Sequence, residues 1–190
     1  MVLEQHGCGG HGVTDAAPFP EMASRLAEAT ASGRSGGLPF TFRDPGTSSD
    51  ATASFPWAVS IVVAALAYLP AAGSPGVPSP GTARIARFAT RDHYRPLRVA
   101  LGEVAQILIE AGHRAEVLVD DNRLVDRAAA VRAGVGWQGK STLVLVPGAG
   151  PWVLLGSVVT DARLAPTAAM RRSCGTCTAC IPACPTGAIV

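Results

Sequence analysis

The longest apolar run of the chain, residues 58–69 (AVSIVVAALAYL), is nearly unbroken and β-branched at its centre. A strand with one wet face alternates polar and apolar residues, whereas one covered on both faces reads as a continuous apolar stretch. Residues 60–69 are therefore predicted as a buried strand. A different period marks two helices. Met22, Leu26 and Ala29 recur at helical spacing after Pro20, and Gly33 stops the pattern, which gives a helix over 20–31. Leu97, Leu101, Val104 and Leu108 follow the i, i+4, i+7, i+11 steps of a core-facing helix, with Pro96 at its first position and Gly112 as its cap.

Shorter signals fill the rest. Residues 116–119 read as a strand ending in Asp120-Asp121, after which Asn122 caps a helix over 123–133 that Gly134 terminates. Residues 141–146 and 152–160 are two apolar strands joined by Pro-Gly-Ala-Gly-Pro, the composition of a hairpin. Residues 33–56, which contain Arg43-Asp44-Pro45, and residues 70–81 (PAAGSPGVPSPG) are loops by their glycine, proline and small polar content. The implied architecture is α+β, with a cysteine-bearing tail attached to the last strand. Arg84, Arg87, Arg91, Arg95 and Arg98 recur at steps of three and four. On a helix they form one basic stripe, which Pro96 must break or restart. The stripe is either a solvated face or a contact for phosphate groups of a cofactor or RNA.

Composition narrows the class. At 190 residues, 48% hydrophobic and 16% charged, the chain can bury one substantial core and is not a disordered segment. A net charge of +2 gives no global argument for nucleic acid, so such a partner must be argued locally. The run at 58–69 is too short to span a bilayer. The first residues, MVLEQHGCGGH, lack the apolar core of a signal peptide. Within them, His6, Cys8 and His11 are either metal ligands or part of a glycine-rich mobile terminus.

The strongest chemical signal is the tail. Cys174, Cys177, Cys180 and Cys184 follow the spacing C-x2-C-x2-C-x3-C, and Pro185 comes next. Three thiolates at this pitch can reach three irons of one 4Fe–4S cluster, while the fourth, before proline, ordinarily ligates a second cluster. Zinc is the alternative, although its sites usually pair two C-x2-C knuckles across a longer gap. A two-cluster unit needs a second cysteine run, and Cys8 is the only other cysteine. The chain therefore reads as truncated or as a fragment. Thiolate ligands need a reducing compartment, so the expected location is the cytoplasm.

Residues 134–141 (GVGWQGKS) fit both G-x-x-x-x-G-K-[ST] and G-x-G-x-x-G. Both phosphate-binding mechanisms need a strand before the glycines and a helix after them. Here an alanine-rich helix precedes and the β-rich STLVLV follows. The order is wrong for a nucleotide site.

Taken together, residues 120–161 (DDNRLVDRAAAVRAGVGWQGKSTLVLVPGAGPWVLLGSVVTD) and the tail CGTCTACIPACPTGAIV resemble epoxyqueuosine reductases. The similarity is densest over 85–190; GVTDAAPF, FRDP and SIVVAALAYLP resemble the start of the same enzymes more loosely. The resemblance implies a corrinoid domain related to nitroreductases over 1–165 and part of a ferredoxin-type domain over 166–190. It implies cobalamin and 4Fe–4S clusters as cofactors, and removal of the epoxide oxygen of epoxyqueuosine in tRNA. It further implies an external electron donor, no membrane and a monomeric chain.

By the same resemblance Asp120 matches the proton donor, and Arg43, Asp120, Val144 and Leu155 match positions that contact cobalamin. Cys174, Cys177, Cys180 and Cys184 match the cluster ligands. From the residues alone, Asp120 or Asp121 can equally cap the following helix, and Val144 and Leu155 are core positions by default. The Asp92-His93-Tyr94 order departs from the Asp-Tyr-His common in the family and leaves the roles of His93 and Tyr94 open. The rival readings are an electron-transfer or corrinoid-binding module without tRNA activity, a related reductase, an inactive product, and an NTPase resting only on 134–141.

Overall fold

The computed structural model describes residues 2–69 and 79–190. In chain order the elements are α1 (Val2–Gln5), β1 (Gly10–Asp15), α2 (Pro20–Ala31), α3 (Pro45–Ser48), α4 (Ala51–Ser54), β2 (Ser60–Ala67), α5 (Tyr94–Glu110), β3 (Ala115–Val119), α6 (Asp126–Arg132), β4 (Trp137–Gln138), β5 (Val144–Leu145), β6 (Val153–Thr160) and α7 (Cys180–Ala183). Most of the 70–81 connection lies outside the described residues.

Four strands form an antiparallel sheet in the order β1-β2-β6-β3. β2 and β6, the two apolar strands, take its centre, which agrees with the unbroken pattern of 60–69. Side chains alternate between two cores. Ile61, Val63 and Ala65 face Ala129, Ala130 and Ala133 of the α6 segment, together with Leu26 of α2. Val62 and Ala64 face Leu97, Ala100, Leu101 and Ala105 of α5, with Leu3 and Cys8. A strand whose two faces are both covered needs apolar residues at every position. The result is the α+β architecture read from the sequence, with helices on both faces of one sheet.

α5 approaches the sheet at Gly156 of β6. A Cβ there would lie 2.6 Å from Leu101 Cδ1 and 2.9 Å from Val119 Cγ2, so the helix seats directly on the strand backbone. Helix α2 has the predicted bounds, whereas α5 begins at Tyr94 instead of Pro96. Asp92 Oδ1 accepts the Arg95 N–H at 3.0 Å and closes that first turn. Proline is tolerated there because its missing N–H would have no partner within the helix.

Three expectations need correcting. Helix α6 starts at Asp126 instead of residue 123, because 120–125 form a turn: Asp120 has φ of 55° and the Asp121 side chain accepts the Arg123 N–H at 2.9 Å. Neither Asp121 nor Asn122 is the N-cap, a place taken by Val125. The hairpin over 141–160 does not form as two paired strands. β5 pairs with β4, and β6 is drawn into the main sheet, where both of its apolar faces are covered; a Val146–Gly150 bridge is the pairing seen at that turn. The arginine stripe does not lie on one helix, since Arg87 belongs to the short 3-10 turn Arg87–Ala89 while Arg95 and Arg98 lie on α5.

The glycine-rich amino terminus is ordered as β1, paired along its length with β2. Cys8 is fully buried, and burial raises its thiol pKa. His6 pairs with Glu103 at 3.0 Å, so these residues serve packing and surface pairing. On the outer side of β1, the Val13 N–H donates to Thr167 Oγ1 at 3.0 Å, and the Thr167 N–H donates to the Val13 carbonyl at 2.9 Å. The segment after β6 thereby covers the edge of the sheet, which otherwise presents unpaired backbone groups. Among the described residues no helix is long and apolar enough to cross a membrane.

Candidate functional site

Where β3 ends, the chain turns sharply and exposes a run of acids. Asp120 occupies the left-handed region, which aspartate tolerates better than most residues because its short polar side chain can bond locally. The turn sets Asp120, Asp121 and Asn122 on the wall of a cavity of about 440 Å³. Tyr94 and Asp126, at the starts of α5 and α6, line the same space. Met22, Leu26, Phe40 and Phe42 close one side, and Val153, Leu154 and Leu155 of β6 form an apolar floor. A planar amphipathic ligand, or a neutral ring held beside acids, suits this mixture of apolar surface and few polar groups.

The three acids have different fates. Asp121 is tied to Arg123, whose Nε and Nη2 donate to its carboxylate at 3.0 and 2.7 Å. That hydrogen bond lowers the Asp121 pKa and keeps the group ionised. Asp120 is exposed. Asp126 is the enclosed one: although the residue as a whole is half-buried, its Oδ1 is buried without a hydrogen-bond partner. Burial, reinforced by the charges of Asp120 and Asp121, raises its pKa to about 7. The Tyr94 phenol is also raised, by burial first and then by Asp120 and Asp126, so it stays a neutral donor. The apolar setting that a carboxylic acid needs to keep its proton is therefore found at Asp126, six residues beyond the acid that the sequence singled out. The available signal was an acid at the head of an alanine-rich helix, and nothing local marked it as enclosed.

The other selected residues divide. Leu155 lines the cavity with Asp120. Arg43 lines a smaller adjoining one of about 360 Å³, which shares Phe40 and Asn122 with the first. Val144 is buried in the core, packed near Gly136, and lines neither. His93 is buried with its ring 5.6 Å from that of Tyr68, at a third cavity of about 1170 Å³ that Trp152, Ile85, Phe88 and Arg91 also line. The inverted His93-Tyr94 pair thus points to two different cavities. Among the described residues no carboxylate lines this third cavity, and His93 supplies it with the side-chain type that ordinarily titrates nearest neutrality.

The segment that mimicked a phosphate loop has a structural task. Gly134, with φ of 71°, ends α6, and a Cβ on it would lie 2.3 Å from the Ala168 carbonyl oxygen. Arg172 stacks 5.8 Å above the Trp137 ring. The Lys140 N–H donates to Cys174 Sγ at 3.4 Å, and its ammonium donates to the carbonyls of Gly175 and Cys177, each at 3.0 Å. The motif grips the cysteine tail at three successive points.

Cys174, Cys177, Cys180 and Cys184 lie on a partly exposed loop and the short α7. Hydrogen bonds from Thr186, first through its side chain, lower the Cys184 pKa to about 7. Among the described residues no three metal-ligating side chains gather around one ion position. A cubane cluster does not require that, because its irons are spaced apart and each takes its own thiolate. Cys174, Cys177 and Cys180, with the amide directed at Cys174, fit three irons of such a cluster, and Cys184 fits an iron of a second.

No protein-family model matches the chain. It is 38% identical over 174 residues to the epoxyqueuosine reductase of Gloeobacter violaceus, an alignment covering 90% of this chain and 53% of that relative. Among solved structures, epoxyqueuosine reductase from Streptococcus thermophilus superposes with a TM-score of 0.86 at 27% identity, covering 98% of this chain and 51% of that one. An epoxyqueuosine reductase solved with an epoxyqueuosine-modified tRNA-Tyr stem loop gives 0.86 at 31% identity, covering 98% and 50%. The chain spans about half the length of these relatives. By sequence and by fold it is a homologue of the epoxyqueuosine reductases.

Proposed function

We propose that this chain carries the corrinoid- and substrate-binding part of an epoxyqueuosine reductase, acting on epoxyqueuosine in tRNA. The observation that carries the proposal is the cavity at the end of β3, where Asp120, Tyr94 and Leu155 meet within a fold shared with these enzymes. In this reading residues 1–165 form the catalytic domain, related to nitroreductases, and 166–190 begin a ferredoxin-type domain. The chain works as a cytoplasmic monomer supplied by an external electron donor.

When bound, cobalamin would supply reducing power at the epoxide-bearing ring; Cys174, Cys177 and Cys180 would ligate three irons of one 4Fe–4S cluster and Cys184 would ligate a second. The protein's own residues do the rest. Leu155 and its neighbours on β6 would give apolar surface to a bound corrin, and Arg43 stands at the adjoining cavity. Asp120 donates a proton to the epoxide oxygen as its bond to carbon opens. Tyr94, a neutral phenol, orients that oxygen by a hydrogen bond. Asp121 cannot replace Asp120, because Arg123 holds it as a carboxylate.

The test is single-turnover reduction of an epoxyqueuosine-containing stem loop by pre-reduced, cofactor-loaded protein. Asp120→Asn lowers the rate by about 10²–10⁴-fold while cobalamin binding survives. Asp121→Asn changes it little. If Asp120→Asn turned over at the parent rate, the assignment of the proton donor would fail.

A further inference from the structure

Removing an epoxide oxygen as water takes two electrons and two protons: both C–O bonds break, the two carbons become doubly bonded, and oxygen leaves as H₂O. The electrons come from a low-potential one-electron donor acting twice. In the reading above Asp120, which is exposed, takes one proton from solvent and passes it to the oxygen. Resting on the epoxide-reductase reading of this cavity, we propose that Asp126 is the second proton source, giving its proton to the oxygen that leaves as water.

The geometry singles out this residue. Asp126 lines the same cavity as Asp120 and Tyr94, and its Oδ1 is buried with no partner, so a ligand entering the cavity meets a group whose hydrogen bonding is unspent. The groups around it decide its protonation. Asp120 and Asp121, on the turn after β3, disfavour its charge, while Arg127, its neighbour on α6, favours it only weakly. Arg123 is engaged with Asp121 and Glu116. Arg98 of α5 lies over the Tyr94 ring and reaches the Val119 carbonyl. Among the described residues no cation is paired with Asp126. With a pKa of about 7 the group is partly protonated at neutral pH and can give its proton to a basic oxygen, the balance that a general acid needs. After turnover the carboxylate stands beside two other carboxylates, which drives its reprotonation.

Two measurements test the proposal. Infrared difference titration of the cofactor-free chain follows the protonated-carboxyl stretch. A band with a midpoint near pH 7 is expected in the parent and absent in Asp126→Asn; no such band in the parent overturns the proposal. Single-turnover rates on the stem loop are then read from about pH 5 to about pH 9, with dithionite-reduced, cluster- and cobalamin-loaded protein. The parent rate should fall above pH 7. Asp126→Asn should be slower by about a hundredfold at pH 6 and lose that limb, whereas Asp126→Glu should keep a displaced limb. An active parent whose rate and pH profile survive in Asp126→Asn refutes the second donor alone. A fully loaded parent that leaves the epoxide intact at every pH refutes the reductase reading, and this proposal with it.

Discussion

Replacing Asp126 by asparagine should remove one large pH-dependent loss of stability between pH 5 and pH 8. An unfolded aspartate titrates near 3.8, and the folded one near 7. The gap of about three pKa units, at about 1.4 kcal/mol each, corresponds to on the order of 4 kcal/mol. The sign follows from proton uptake. The folded state holds the Asp126 proton more tightly than the unfolded chain does, so folding is favoured where Asp126 is protonated, and the advantage is lost as pH rises from about 4 to about 7. Between pH 5 and pH 8 the parent should lose roughly 2–3 kcal/mol relative to Asp126→Asn. Asp121 has the opposite sign, but its pKa is lowered, so its change lies at the acid end of the scale, below this window. Cys184, whose thiolate is favoured in the folded state, contributes equally to parent and variant and cancels in the difference. Urea unfolding at several pH values, extrapolated linearly to water, gives the free energies. Parallel curves for parent and variant across the window would refute the burial argument. A parent more stable at pH 8 than at pH 5 relative to the variant would reverse its sign.

Lys140→Met should release the cysteine loop: losing the ammonium's bonds to the Gly175 and Cys177 carbonyls costs about 1 kcal/mol locally, so alkylation of Cys174 in the cofactor-free chain should speed up about fivefold. An unchanged rate would mean that the lysine does not hold the loop. Gly156→Ala should destabilise by about 1–3 kcal/mol, because the added Cβ collides with Leu101 and Val119; a thermal midpoint equal to the parent's would show that α5 can lift away at no cost. Calorimetry with ATP should show no binding at 134–141, and micromolar affinity abolished by Lys140→Ala would revive the nucleotide reading.

What the sequence determined by itself was local. The 20–31 helix, the α5 face and the buried strand at 60–67 were legible because each carries its own period or an unbroken apolar run. The cysteine spacing and the wrong order of elements around 134–141 were legible for the same reason, since each depends on neighbours in the chain. Tertiary structure decided the rest. β1, glycine-rich and weakly patterned, is a strand because β2 offers it a ladder on one side and Thr167 closes the other. β6 left its expected hairpin because the centre of the sheet covers both of its apolar faces, which a two-stranded ribbon cannot do. Val144 and Leu155 look alike in sequence, yet one is sealed in the core and the other lines a cavity. Asp126 is the clearest case. Its residue type and its place at a helix start favour an ionised, solvated acid. Only the packing of α6 beside β6 and the acidic turn takes its carboxyl out of water and raises its pKa to about 7. Desolvation depends on what surrounds a group in space, and that is set by the fold.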